Sequence, residues 1–429
     1  MAQGAIEHQD APVGPRGCNA SEDNITNISE TGDLVVHFRH NFQERIEDHA
    51  YRVSMDALRN ASPYFENLLH PDKFAEGAAV ETKQRTLRKA YGSVGNALTA
   101  ELPSVDILDI GRISKVKSVR PLISDFLRII HGQNPSSGPP PIANLANLAI
   151  VADRFGVIPL VSAFVKRKKY MQAIDARTPD KKDKSTPEEK TRQRLLVALL
   201  FGHSGWIEKC SLRLILKGWV GHEPDPSAAL WWDLPLRVEE ELLYRRECVL
   251  ETIQSLQSHF LALYTSRERQ CKLGYDSSLQ CDSFQLGEVL MFFLRSGTLR
   301  LQGTLFDTAE PPEPFAGEIA DLVEALRRCP EYQIDKNHTH CGLRTRLIPL
   351  LDLVEAFLQD AGVCGDCWQS NRAEYAWLDA KRPLIWRRSS IGLRSVQTPS
   401  RGIAVHEAKH RNVREFFTAV ERLWTAPDG

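Results

Sequence analysis

The segment from Tyr51 to Gly77, YRVSMDALRNASPYFENLLHPDKFAEG, constrains the fold more than any other part of the chain. Three strand-like residues are followed by Ser54, which is placed to cap a short helix. Ser62 and Pro63 then form a cap and first-turn pair that opens a second helix. Apolar side chains recur at helical spacing through both helices, at Met55, Leu58, Phe65, Leu68 and Leu69. The pattern therefore predicts a strand, two consecutive capped helices and a turn.

Three further segments surround this pattern. Residues 32–38 form an opening strand pattern, residues 105–109 a second short strand, and residues 145–165 a helix pair, LANLAIVADRFGVIPLVSAFV. Together they resemble the BTB/POZ family, and the combination of R-V-S with F-A-E-G is similar to members from filamentous fungi. The resemblance implies an α+β domain, helices with a small sheet, over residues 31–170. It also implies a homodimer that binds other proteins.

The rest of the chain alternates polar segments with amphipathic helices. Residues 1–30 are predicted to be a disordered tail, and residues 78–101 form a polar insertion within the BTB-like domain. Residues 171–193 are rich in charge and proline, which predicts a linker. Apolar residues then recur at steps of three and four, which predicts a mostly α-helical second domain over residues 194–380. Residues 381–429 are predicted to be a basic segment and a C-terminal amphipathic helix.

The charge balance does not favour a polyanionic partner. The 429 residues include 54 Lys and Arg and 55 Asp and Glu, so the net charge is −1 and binding to nucleic acid is not expected. The N-terminus lacks the basic and apolar regions of a signal peptide, and the apolar run at residues 195–201 is too short to cross a bilayer. We therefore expect an intracellular protein, cytoplasmic or nuclear, without a membrane partner.

Cysteine is concentrated in the second half of the chain, where six of the nine cysteines lie between Cys271 and Cys367. A C-x-x-C pair and an H-x-H-C group have the spacing of zinc half-sites. The candidate ligands of a structural zinc ion are thus His338, His340, Cys341, Cys364 and Cys367. Two alternatives stay open. In the first, the cysteines are buried free thiols, which is the plainer interpretation because cysteine is often buried as a small apolar residue. In the second, the C-x-x-C pair is a redox site.

The segment His406 to His410, H-E-A-K-H, matches the pattern of zinc hydrolases, in which two histidines hold the metal and the glutamate activates water. Lys409 and Arg411 place positive charge beside the would-be cation. We therefore expect both histidines to pack or hydrogen-bond on a helical stripe that continues to Trp424. No nucleophile with a base, carboxylate pair or phosphate-binding loop is evident in the sequence, so the chain is not expected to be an enzyme.

Two short motifs concern partners. Phe74 and Glu76 match the hydrophobic-x-Glu element that cullin-binding BTB proteins use, although Phe74 has the alternative role of packing the end of the preceding helix. The basic clusters at residues 166–169 and 181–184 match a bipartite nuclear import signal or are simply solvated. The expected function is a protein–protein interaction in which the helical region selects the partner. The alternatives are a substrate adaptor of a cullin-type ubiquitin ligase and a nuclear regulator.

Overall fold

The computed structural model describes residues 25–42, 45–116, 118–135, 138–177, 185–273, 276–296, 315–388 and 403–425. The described residues are about 59% helical, with a small N-terminal sheet and a mostly helical remainder. It divides into two compact units. The first holds Met1–Ile110, Lys117–Gly138 and Arg154–Val161, and the second holds Gly111–Val116, Pro139–Asp153 and Ser162–Gly429. The segment 31–170, predicted as one domain, contributes to both units.

A four-stranded sheet forms the centre of the first unit. Its strands are β1 (Ile25–Asn27), β2 (Leu34–Phe42), β3 (Arg45–Val53) and β4 (Ser104–Ile107), in the spatial order β1-β3-β2-β4. β2 and β3 are antiparallel, β4 lies parallel to β2, and β1 lies parallel to β3. Leu34, Val36 and Phe38 face one side of β2 and Val35 faces the other, and all four are buried. Both faces of the sheet are therefore covered.

Strand β1 falls inside the segment that was predicted to be a disordered tail. It pairs with β3 through Ile25, Thr26 and Asn27. Backbone pairing with a distant strand leaves little trace in a polar sequence, because it uses the main chain and not the side chains. Residues 1–24, the rest of the predicted tail, lie outside the described part of the chain.

The two capped helices of the first unit are present, which confirms that prediction. Helix α1 (Met55–Ala61) follows Ser54, whose hydroxyl accepts a hydrogen bond from the backbone N–H of Ala57. Helix α2 (Pro63–Leu68) follows Ser62, whose hydroxyl accepts from Phe65 N–H and donates to the carbonyl of Phe155 at 2.6 Å. One serine thus caps a helix and ties it to a distant turn.

The polar insertion predicted at residues 78–101 is largely a helix. Helix α3 (Ala75–Tyr91) buries Val80, Gln84 and Leu87, which recur at steps of four and three. Leu87 packs with Val35 and other apolar side chains on one face of the sheet. The lysines, arginines and threonines between these positions occupy the exposed side, so the segment is an amphipathic helix whose polar composition obscures its function as a cover for the sheet.

Phe155 lies in the core of the first unit. Its ring is stacked on Phe65 at 5.2 Å and lies 5.4 Å from Phe126, which belongs to helix α4 (Val119–Ile130). Tyr64 and Phe38 approach the same ring edge-on at 5.1 and 6.0 Å. This aromatic group joins the sheet to α2 and α4, and such pairs stabilise beyond simple burial.

The rest of the chain is mainly helical. Its helices are α5 (Ile142–Arg154), α6 (Ile158–Arg167), α7 (Tyr170–Arg177), α8 (Glu188–Phe201), α9 (Ser204–Lys217), α10 (Val238–Thr265), α11 (Ser278–Arg295), α12 (Ile319–Arg327), α13 (Leu343–Leu358), α14 (Gly365–Ser370), α15 (Arg372–Tyr375) and α16 (Ile403–Thr418). β5 (Ile385–Arg387) and β6 (Glu421–Leu423) form a parallel pair. The apolar stripes read from the sequence fall in α10 to α13, so these four helices are confirmed. Every helix of the described ranges is too short or too polar to span a bilayer.

The segment 171–193, predicted to be a linker, is helical at both of its described ends, in α7 and α8. Arg192 of α8 is fully buried, and its guanidinium donates to Glu188 and Glu239. It also lies 5.4 Å from the ring of Trp232. The charge of Arg192 is therefore paired inside the second unit, which composition alone does not reveal. Residues 178–184 lie outside the described part.

Candidate metal centres

Two groups of cysteine and histidine side chains lie in the second unit. The three-cysteine cluster consists of Cys271, Cys281, His338 and Cys341, and the two-histidine cluster consists of Cys364, Cys367, His406 and His410. Within each group, the ligand atoms lie within 4.8 Å of one another. Each group could hold a metal ion, and four sulfur or nitrogen atoms are the number that a structural zinc site uses.

The structure separates the five residues that were predicted as one site. His338 and Cys341 belong to the three-cysteine cluster, whereas Cys364 and Cys367 belong to the two-histidine cluster. His340 belongs to neither. Its side chain is 77% exposed and pairs with Glu331 at 3.7 Å. The backbone of His340 is left-handed, with φ of 64°, and the ring of His338 two residues earlier is fully buried.

Three segments build the three-cysteine cluster. Cys271 follows α10, Cys281 lies in α11, and His338 and Cys341 lie in the turn before α13. The Cys271 sulfur lies 3.4 Å from Nδ1 of His338 and 3.8 Å from the Cys341 sulfur. Tetrahedral zinc, with bonds of about 2.3 Å to sulfur and about 2.05 Å to nitrogen, requires edges of about 3.6 and about 3.8 Å for these two pairs. The observed spacing matches both edges.

The thiols of this cluster have unequal acidities. Burial opposes ionisation of Cys271, but hydrogen bonds with Ser278 and with the Leu273 backbone outweigh it and lower the pKa of this thiol to about 7. Burial and the neighbouring sulfurs raise the pKa of Cys281 to about 12, and burial also raises the pKa of Cys341. Without a cation, Cys271 is therefore the thiol of this cluster that ionises most readily near neutral pH, and Cys281 and Cys341 are protonated. A divalent cation would offset the repulsion and allow all three to ionise.

The surroundings hold the ligands in place. Nε2 of His338, the ring nitrogen that faces away from Cys271, lies 2.9 Å from the Ser277 hydroxyl. Metal-binding histidines commonly bond a neighbour through the second nitrogen, which fixes the orientation of the ring. The backbone N–H groups of Gln270 and Cys271 donate to the Asp282 carboxylate at 2.9 and 2.8 Å. This carboxylate holds the Cys271 loop against α11.

The two-histidine cluster joins α14 to α16. Cys364 precedes α14, Cys367 lies in it, and His406 lies one helical turn from His410 on α16. Nε2 of His406 lies 3.3 Å from the Cys364 sulfur and 3.5 Å from the Cys367 sulfur, close to the sulfur–nitrogen edge of a zinc tetrahedron at about 3.6 Å. His406 thus hydrogen-bonds at a helix interface, as expected, and the same contacts place it beside two thiols with which it could hold a metal ion. The stripe predicted to reach Trp424 is helical only to Thr418.

A cavity of about 10 Å³ borders Cys364, Cys367 and His410, which is the space of about one water molecule or small ion. Burial lowers the pKa of His410 to about 4, so the ring is neutral, as a metal ligand must be. Burial, together with the charge of Cys364, raises the pKa of Cys367 to about 12. Four protein ligands would fill a tetrahedron and leave no position for the water that a zinc hydrolase activates.

Sequence reasoning weighed His406 and His410 only within a zinc-hydrolase pattern and did not combine them with Cys364 and Cys367, and it did not assign Cys271 and Cys281 to a site. A signal for the first pair was present, because C-x-x-C followed by H-x-x-x-H is the ligand order of a zinc finger. Cys367 and His406 are 39 positions apart, however, far more than the usual finger spacing of about 12–15 residues. The cysteines of the described ranges form no disulfide with one another.

The residues predicted to contact partners lie on the protein surface. Phe74 directly precedes α3 and is 50% exposed, so it is not buried against the preceding helix. Glu76, in the first turn of α3, is also exposed. The basic residues 166–169 are exposed at the end of α6, whereas the second basic cluster, residues 181–184, lies outside the described part of the chain.

Comparison of the chain with protein-family models, with curated proteins and with solved structures gives no match in any of the three.

Proposed function

We propose that this chain is a non-enzymatic protein-interaction protein with two parts. A BTB/POZ-type N-terminal region associates with itself or with a partner, and a helical unit stabilised by zinc selects the partner. The observation that carries the zinc assignment is the presence of two separate sets of four sulfur and nitrogen atoms, each set within 4.8 Å. Distances between these atoms match the edges of a zinc tetrahedron, as described above.

The chemistry of the donors favours zinc over other common ions. Thiolate and imidazole are soft or borderline ligands, whereas magnesium and calcium prefer oxygen. Each cluster offers four protein ligands, which is the arrangement of a structural site and not of a catalytic one. In the three-cysteine cluster Cys271, Cys281 and His338 are buried, whereas in the two-histidine cluster the two cysteines are buried and His406 is exposed. His338, Cys341, Cys271 and Cys281 would hold one ion. Cys364, Cys367, His406 and His410 would hold the other.

Zinc at these positions would supply folding free energy to the second unit. The three-cysteine cluster brings together the end of α10, α11 and the turn before α13, and the two-histidine cluster brings α14 to α16. A preformed site is absent from the unfolded chain, so the metal binds the folded state and stabilises it. A stable helical unit is what a partner-selecting surface needs.

The assignment of the N-terminal region is supported by its order of elements. A strand hairpin, two short capped helices, a further parallel strand and a helix follow one another, as in the BTB/POZ pattern read from the sequence. The half-exposed Phe74 gives this region an apolar side chain in a position to contact another protein. Proteins of this type associate through such surfaces, which is why self-association is part of the proposal.

Metal analysis of the full-length protein, purified without a histidine tag, tests the zinc assignment. We expect about two zinc ions per chain, and about one in the Cys364→Ser, Cys367→Ser variant and in the Cys271→Ser, Cys341→Ser variant. Cys210→Ser is the matched control, because Cys210 is a buried cysteine that lies outside both clusters and forms no disulfide. This variant should keep both ions. Less than about a tenth of an equivalent in the wild type would refute the assignment, since four-ligand sites stay nearly full during purification.

A further inference from the structure

Helix α10 carries a buried ion pair near its start. The guanidinium of Arg245 donates to the carboxylate of Glu241, one helical turn earlier, at 2.7 Å. The two side chains are 5% and 1% exposed. Burying two charges costs more than burying apolar side chains of similar size unless further hydrogen bonds satisfy both groups. The remaining contacts of this pair are therefore informative.

Arg245 binds backbone carbonyls in two segments, one before α14 and one at the end of α15. Its Nη1 donates to Ala361 at 3.0 Å and to Gly362 at 2.6 Å, and its Nη2 donates to Tyr375 at 3.4 Å. The guanidinium also lies over the ring of Trp377, 4.6 Å from its centre. The rigid fork of arginine suits this geometry, because one planar group reaches acceptors in two segments at once.

Glu241 binds the second of these two segments, where it accepts hydrogen bonds from backbone N–H groups. Its carboxylate accepts from the backbone N–H of Trp377 at 2.8 Å and of Leu378 at 3.0 Å. The ion pair thus holds the chain just before Cys364 and again after Cys367. The two thiols of the two-histidine cluster lie between these fixed points.

Helix α9 contacts the segment before Cys364 from another side. The Ser211 hydroxyl accepts from the backbone N–H of Val363 at 2.7 Å. A Cβ atom at Gly362 would come within 2.6 Å of the Glu208 carbonyl, so the loop lies directly on α9. Arg245 and Gly362 also line the small cavity beside Cys364, Cys367 and His410. The ion pair and the segment that it holds therefore lie at the edge of the space that an ion would fill.

We propose that Glu241 and Arg245 are positioning residues of the two-histidine cluster, which set the separation and direction of the Cys364 and Cys367 sulfurs. The inference rests on the proposed function, because it requires a metal ion at this cluster. Residues that orient metal ligands through hydrogen bonds commonly change metal affinity by about 10–100-fold when they are replaced. Loss of either charge should have an effect of that size at this cluster alone.

The three-cysteine cluster is an internal control. Glu241 and Arg245 lie in the first two turns of α10, whereas Cys271 follows its last turn, so the pair and this cluster are at opposite ends of a 28-residue helix. A general loss of stability in the second unit would weaken both clusters. A positioning role predicts that only the two-histidine cluster is weakened.

The experiment is a cobalt(II) titration of full-length, metal-free protein, with a chromophoric chelator as competitor. Thiolate-to-cobalt absorption differs in intensity between sites with three sulfur ligands and sites with two, so the clusters are followed separately. Glu241→Gln and Arg245→Gln should each bind cobalt about 10–100-fold more weakly at the two-histidine cluster and normally at the other. Glu240→Gln is the matched control, since Glu240 is an exposed neighbour that pairs with Arg237. It should bind like wild type.

Arg245→Lys separates charge from geometry. Lysine keeps the positive charge but lacks the planar fork, so the loss should resemble that of Arg245→Gln. Unchanged affinity in both glutamine variants, equal weakening of both clusters, or full recovery with lysine would each overturn the inference. A wild-type protein that binds no cobalt at the two-histidine cluster would overturn the proposed zinc site and, with it, this inference.

Discussion

Zinc binding to the three-cysteine cluster should release about two protons at pH 8. This number follows from the different pKa values of the three thiols. A thiol with a pKa of about 7, as for Cys271, is already about nine-tenths ionised at this pH and loses about 0.1 proton. Cys281, with a pKa of about 12, loses one. The raised pKa of Cys341 means that this thiol also starts protonated and loses about one.

The pH dependence follows from the same count. Because about two protons leave as each zinc ion binds, the affinity should fall about 100-fold for each unit of pH lowered near pH 8. The affinity falls as the pH falls because protons compete with the metal for the sulfur atoms. Metal-dependent stabilisation of the second unit is therefore present at high pH and is lost as the pH falls.

The assay is calorimetric titration of zinc into metal-free, full-length protein that carries Cys364→Ser and Cys367→Ser, so that one cluster remains. Repeating the titration in buffers with different ionisation enthalpies gives the number of protons released. Adding Cys281→Ser removes one protonated ligand and should lower the number to about one. A release near three would show that Cys271 is not acidic. A release near zero would show that the metal does not bind thiols, which would refute the argument.

Two further predictions follow from the structure. Gly362→Ala should reduce zinc in the two-histidine cluster, because the new methyl group would meet the Glu208 carbonyl, whereas Gly287→Ala, where nothing lies within 4 Å, should leave metal content unchanged in elemental analysis. Equal zinc in both variants would contradict the close packing of the loop on α9. The full-length protein should also self-associate, which sedimentation velocity at tens of micromolar detects. A strict monomer over that range, where even a modest interface of about 10 μM affinity registers, would remove the dimer from the proposal.

Local features of the fold could be predicted from the sequence. Ser54 and Ser62 act as caps within three residues of their own position, so the chain on either side is enough to identify them. The apolar stripes of α10 to α13 are equally local, because a helix repeats every 3.6 residues. Strand β1 is different, since its partner lies in β3 and its own residues are mostly polar.

The metal clusters depend on long-range contacts, and the sequence could supply only part of them. The concentration of cysteine indicated a part of the chain whose side chains could hold a metal ion, but it did not show which residues meet. His338 and His340 are two positions apart, yet His338 is buried and His340, whose backbone is left-handed, is exposed. Arg192 was misjudged for a similar reason. A charged side chain is expected to be exposed to solvent, and the sequence does not show that Arg192 pairs with Glu239, which lies 47 residues away.

Each metal cluster would also act as a reversible cross-link in the chain. Cys367 and His406 are 39 positions apart, and Cys271 and His338 are 67 positions apart. The segments 297–314 and 389–402 fall inside these two loops of the sequence. A peptide bond cleaved in either segment would therefore leave both new ends attached to the protein for as long as the metal stays bound, and a chelator would end that attachment.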